Sequence, residues 1–228
     1  MFPRQTLFGD RADAGRALAR RLAHLAEQRP VVLALPRGGV PVGFEIARAL
    51  RAPLDLVLVR KIGAPFQPEL AIGAVVDGGR PETVIDEDML RELRIPTSYV
   101  AEESARQVAE IERRRELYLA GRQRVPVEGR TAILVDDGIA TGATMEAAMR
   151  ATRRARPLRI VLAVPVASPD TIEDLRAHVD DVVCLATPRH FGAIGAFYAD
   201  FEQLSDQEVI DLLRRAAQFA REPSVTPS

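Results

Sequence analysis

The stretch Ile133-Leu134-Val135-Asp136-Asp137-Gly138-Ile139-Ala140-Thr141-Gly142-Ala143-Thr144 decides how this chain is read. Three apolar, largely β-branched residues predict a buried strand. Two adjacent carboxylates follow at its end, then a turn of small residues, then a helical pattern from about Thr144 to Arg154. Backbone N–H groups at a helix start are unpaired and carry partial positive charge, so they attract phosphate. Gly142 and Ala143 let the backbone approach such a group closely, and Thr141 and Thr144 add hydroxyl donors. Asp136 and Asp137 would repel a phosphate set beside them. They suit a diol or a hydrated divalent cation. Phosphate at one end of a loop and a diol at the other describe a site for a ribose 5-phosphate.

Outward from this loop, short apolar runs alternate with helical patterns. Val31–Leu35, Leu54–Val59, Ala71–Val76, Thr83–Ile85, Ile160–Val164 and Val182–Leu185 read as strands. Residues 10–28, 41–50, 169–177 and 206–220 read as helices, the first capped by Asp10 or Asp13. Strands apolar on both faces and separated by helices predict an α/β fold, mainly a parallel sheet with helices on both faces. Ligands of such sheets sit beyond the C-terminal strand ends. Residues 98–123 differ, being rich in Glu, Arg, Gln and Ala. They predict one long helix with a narrow stripe of Val100, Ala101, Val108, Ile111 and Leu117 and an otherwise solvated face.

The 228 residues suit a single domain spanning 1–228, with a helical insertion at about 87–123. Thirty-one basic and 32 acidic side chains give a net charge of −1, which argues against a nucleic-acid partner. No apolar run approaches the roughly 20 residues of a membrane span. The N-terminus lacks the apolar core of a signal peptide. The expected location is the cytoplasm. Cys184, the only cysteine, lies in an apolar run and reads as a strand residue rather than a reactive thiol.

Two further strand ends carry chemistry. Pro36-Arg37-Gly38-Gly39 ends the first strand. Its glycines can expose N–H groups to an anion, and Arg37 can clamp it. Arg60-Lys61 ends the next run and offers a cation at the same sheet edge.

Residues 133–144 resemble the binding motif for 5-phosphoribosyl pyrophosphate (PRPP) of the type I phosphoribosyltransferases. The Leu35–Gly39 and Val59–Ala64 segments are similar to those of bacterial predicted phosphoribosyltransferases of unsettled substrate. The resemblance implies that Asp136 and Asp137 hold the ribose hydroxyls and, directly or through water, Mg2+. It implies that Ala140, Thr141, Gly142, Ala143 and Thr144 hold the 5-phosphate. Residues 36–39 resemble the family's pyrophosphate loop, where a strained or cis non-proline peptide is common. Arg37 and Lys61 would then offset the charge of departing pyrophosphate, with Gly38 and Gly39 lining the loop. Residues 62–70, with Glu69, form a candidate flap over the reaction. A C-terminal hood at about 187–201 would cover the acceptor with Phe191, Phe197 or Tyr198.

The implied activity is a Mg2+-dependent enzymatic transfer of the phosphoribosyl group from PRPP to a small-molecule base or amine. Phosphoribosyltransferases for 6-oxopurines carry a carboxylate where Ala140 stands, which disfavours guanine and hypoxanthine. Adenine, orotate, uracil and a non-nucleobase amine stay open. Two other readings also stay open: a non-catalytic PRPP- or nucleotide-binding regulator, and a phosphoribose hydrolase. The family often forms homodimers, and the helix at 98–123 offers a surface for one.

Overall fold

The computed structural model describes residues 6–77 and 81–219. Its body is a five-stranded parallel sheet. The strands are β1 (Val31–Ala34), β2 (Leu54–Leu56), β6 (Thr131–Val135), β7 (Arg159–Val166) and β8 (Asp181–Ala186). Their order across the sheet is β2-β1-β6-β7-β8. β1 and β6 are buried at every position. Both sheet faces are therefore covered, as the unbroken apolar runs predict. One face packs against α1 (Arg11–Leu22), α2 (Gly39–Leu50) and α7 (Asp206–Phe219), where Leu18, Ile46 and Leu213 meet Val32, Ile133 and Val161. The other packs against α5 (Ala143–Arg154) and α6 (Pro169–Arg176), where Met145, Met149 and Leu175 meet Leu33, Leu134 and Leu162. Each such large side chain contributes about 1.5–3 kcal/mol on full burial. The expected α/β class and its parallel sheet hold.

From β1 the chain crosses through α2 to β2 on one side, and it later returns to place β6 on the other. The connections leaving β1 and β6 thus run to opposite faces, which opens a crevice at their C-terminal ends. Pairing of Ala34 with Val135, and donation from Leu35 N to Val135 O at 2.9 Å, set the two ends side by side.

The region between β2 and β6 departs from the sequence reading. The apolar run 54–59 is not one strand. It leaves the parallel sheet after Leu56 and begins a separate antiparallel sheet. That sheet consists of β3 (Val59–Ala64), β4 (Gln67–Asp77) and β5 (Pro81–Ile85), in that order. Residues 62–70, read as a loop, are the tip of the β3–β4 hairpin, with a register shift around Gly63. The Glu69 side chain lies outside the described residues. Arg60 and Lys61 sit inside β3 rather than at the end of a parallel strand. The insertion continues as α3 (Glu87–Glu92) and the 23-residue α4 (Thr97–Leu119). Ile111 of the expected α4 stripe is buried, and Val100 and Val108 are partly so. Leu117 faces solvent, and Tyr118 and Leu119 are buried in its place. No helix among the described residues is long and apolar enough to cross a membrane.

Candidate active site

β6 ends at the floor of the crevice, and its two carboxylates have different surroundings. Asp137 is 7% exposed. Its Oδ2 accepts from Arg11 Nε at 2.7 Å. Arg11 comes from the first turn of α1, lies 3.7 Å from the Phe201 ring centroid, and donates through Nη1 to Glu202 O at 2.9 Å. Tyr198 Oη donates to the Asp137 carbonyl at 2.6 Å. Asp136 has no such ion pair among the described residues. Its Oδ1 accepts the Asp137 N–H at 2.8 Å, and the residue stays partly exposed. Burial first, and the neighbouring Asp137 charge second, push its carboxyl well above the ordinary value, although the Arg11 charge reaches it and pulls it down. Burial also raises Asp137, against the opposing pull of the Arg11 hydrogen bond and charge.

The turn 36–39 leans directly on this pair. A Cβ on Gly38 would overlap the Asp137 carboxylate, and one on Gly39 would lie 2.6 Å from Val135 O. Only glycine permits that approach. The Pro36–Arg37 peptide is cis. Arg37 Nη1 lies 3.8 Å from Asp206 Oδ1 at the start of α7, and Asp206 also accepts from Tyr118 Oη at 2.6 Å.

Residues 138–142 are fastened to the β7–α6 junction. Ile139 N donates to Val166 O at 2.9 Å, and Thr171 Oγ1 donates to Ala140 O at 2.7 Å. Gly142 has φ +80° and precedes the first turn of α5, where no side chain caps the helix. A Cβ there would meet Thr171 Cγ2 at 2.8 Å, so both backbone and space demand glycine. Ala140, Thr141 and Ala143 are exposed, and Thr144 is half-buried. Uncapped amides at an open helix start can take an anion.

Of the residues singled out from the sequence, the crevice brings together Arg37, Gly38, Gly39, Asp136 and Asp137, with 140–144 leaving the same strand end. Lys61 lies away from the carboxylates and the glycine turn and, of that group, meets only the start of α5. Successive strand side chains point to opposite faces. Lys61 is exposed and lines a cleft of about 630 Å³ between the antiparallel sheet and α5, together with Ala143 and Arg150. Arg60 points the other way, toward Pro36 and Thr144. The hood also differs from expectation. Phe197 and Tyr198 are each 5% exposed. Phe197 packs on Phe191, and Tyr198 lies between Phe8 and Phe201. These ring contacts, with Phe8 of the N-terminal segment against Tyr198, make Phe197 and Tyr198 core residues; Phe191 keeps partial exposure. Arg11 escaped the sequence reading because nothing near it in the chain hints at a partner 126 residues away.

A family model described as a phosphoribosyl transferase domain matches residues 83–202, just over half of the chain. The chain belongs to the phosphoribosyltransferase family. It is 49% identical over 210 residues to the Mycobacterium tuberculosis protein "Putative phosphoribosyl transferase Rv0571c". That match covers 92% of this chain and 47% of the relative. The chain therefore spans about half the length of the curated relatives it matches. The crystal structure of TT1426 from Thermus thermophilus is similar with a TM-score of 0.81 and 47% identity. It covers 92% of this chain and 99% of that one. The family match begins within β5, so the 36–39 turn lies outside it. The pairing of β1 with β6, and the close approach of Gly38 and Gly39 to Asp137 and Val135, bring that turn against the matched residues.

Proposed function

We propose that this chain binds PRPP across the crevice between β1 and β6 and transfers its phosphoribosyl group to a base or amine, releasing pyrophosphate. One observation carries the reading. Asp136, partly exposed and in no ion pair among the described residues, stands between a glycine turn that presses on its backbone and an uncapped helix start behind Gly142. Asp136 would accept hydrogen bonds from the ribose hydroxyls, and the amides at 141–144 would hold the 5-phosphate. Asp137, already neutralised by Arg11, would fix the position of Asp136 and of the 36–39 turn. The new bond forms between the acceptor nitrogen and the anomeric carbon as the carbon–oxygen bond to pyrophosphate breaks. The acceptor's proton is released. Arg37 would stabilise the charge gathering on the departing group.

The residues fit a magnesium ion. Mg2+ is commonly held by one or two carboxylates together with substrate oxygens and water. The raised Asp136 carboxyl is a group that a nearby dication would favour in its ionised form. When bound, the ion would polarise the pyrophosphate oxygens and help it leave.

Calorimetric titration of PRPP with magnesium into wild type and Asp136→Asn protein tests the reading. Saturable binding to wild type that is lost in the folded variant is the expected result, followed by pyrophosphate release when candidate acceptors are added. Folded wild type that takes up no PRPP would overturn it.

A further inference from the structure

Beside the 36–39 turn lie cations that the turn itself does not supply. Arg60 of β3 and Arg114 of α4 line, with Pro36 and Thr144, a cavity of about 30 Å³. This is where the glycine turn and the start of α5 come together. Each arginine is held from behind through its Nε. Arg60 Nε donates to Gln107 Oε1 at 3.0 Å, and Arg114 Nε to Glu110 Oε1 at 2.7 Å. Their terminal nitrogens make no hydrogen bond or ion pair among the described residues. Gln107, Glu110, Ile111, Arg114 and Tyr118 recur at helical spacing on one face of α4. Ile111 and Tyr118 are buried and fix that face against the core. Tyr118 in turn reaches Asp206, the carboxylate beside Arg37.

We infer that Arg60 and Arg114, with Arg37, form a three-guanidinium cradle that binds the pyrophosphate group, with the inserted helix α4 supplying Arg114 and the tethers. This rests on the PRPP reading above. A guanidinium held at Nε keeps both terminal NH2 groups free to form forked hydrogen bonds with phosphate oxygens. The cavity has about the volume of one liquid water molecule, so the anion would lie at its mouth. Three positive charges match an anion of three to four negative charges, and the partly exposed Arg114 can turn toward it. Gln107 and Glu110 are positioning residues in this scheme. The insertion, placed in the sequence as a solvated helix, thereby becomes part of the site.

The test uses inorganic pyrophosphate and ribose 5-phosphate as separate titrants, each with magnesium, on the full chain. Arg114→Gln and Arg60→Gln should each weaken pyrophosphate by about tenfold or more, the worth of a lost charge-assisted hydrogen bond. Ribose 5-phosphate affinity should stay unchanged. Arg114→Lys, which keeps the charge and loses the fork, should fall between wild type and Arg114→Gln. Should one variant fail to fold by thermal unfolding, the other carries the same measurement. Wild type that binds both titrants, with neither Gln variant weakening pyrophosphate, would overturn the cradle and leave the PRPP reading standing. Wild type that binds neither titrant would overturn both.

Discussion

The acidic turn at 136–144 is one continuous stretch, whereas the cations around it come from α1, the 36–39 turn, β3 and α4. Arg11 and Arg114 show what this difference means. Arg11 has a side chain 12% exposed and is locked to a buried carboxylate. Arg114 is 31% exposed, and the carboxylate it tethers to is held at a pKa of about 2 by hydrogen bonds from Arg113 and Arg114. The first is a counterion that allows Asp137 to be buried. The second is a cation at the rim of the crevice whose terminal nitrogens have no partner among the described residues. Residues of one type beside one crevice therefore play opposite parts, and stability measurements should separate them.

The largest stability effect is expected at Arg11. Arg11→Ala leaves Asp137 buried without its cation, a change that costs about 3–5 kcal/mol. Denaturant unfolding reads it directly. A loss below about 1 kcal/mol would mean that Asp137 is not held by Arg11 in solution. Gly142→Ala comes next, at about 1–3 kcal/mol, because it combines a left-handed backbone with a clash against Thr171. Its thermal midpoint should fall, and an unchanged midpoint would argue against so tight a turn.

A smaller, pH-dependent effect separates the two carboxylates. The Asp136 carboxyl sits above its ordinary 3.8, so the unfolded chain gives up this proton first as pH rises. Between 3.8 and the higher folded value, the native state holds more protons than the unfolded state. Asp136 then lowers stability progressively with rising pH, and the penalty is complete above the folded value. Asp136→Asn should therefore gain stability over wild type as pH climbs above the ordinary carboxyl value of 3.8. A constant difference across that range would show that Asp136 titrates normally. The smallest effect is expected at the rim. Arg114→Gln loses one i,i+4 ion pair and should change stability by about 0.5 kcal/mol or less. A much larger loss would make Arg114 a structural residue like Arg11.

How much was legible in the sequence follows the same division. The parallel strands, the helices around them and the glycine-bearing loop after β6 were readable because each depends on its own neighbours. An unbroken apolar run makes a buried strand. A turn that needs a left-handed residue needs glycine at that place. Two strands of the antiparallel sheet were read, Ala71–Val76 within β4 and Thr83–Ile85 within β5, but their separation from the parallel sheet was not legible, because Leu54–Val59 has the same apolar character on both sides of the point where the chain leaves one sheet for the other. That exit turns Arg60, rather than Lys61, toward Pro36. Nor was the fate of Phe197 and Tyr198. An aromatic cluster looks the same in sequence whether it packs a core or faces a ligand, and here Phe191 packs on Phe197 while Phe8 and Phe201 pack on Tyr198.

By itself the sequence determined the fold class, the acidic pair at the end of a central strand and the glycine turn that leads into α5, since these are set by local backbone geometry and hydrophobic pattern. Only the tertiary structure decided which carboxylate is neutralised and which arginines border the site. Charge pairing acts through space between residues as far apart in the chain as 11 and 137, and no local pattern records it.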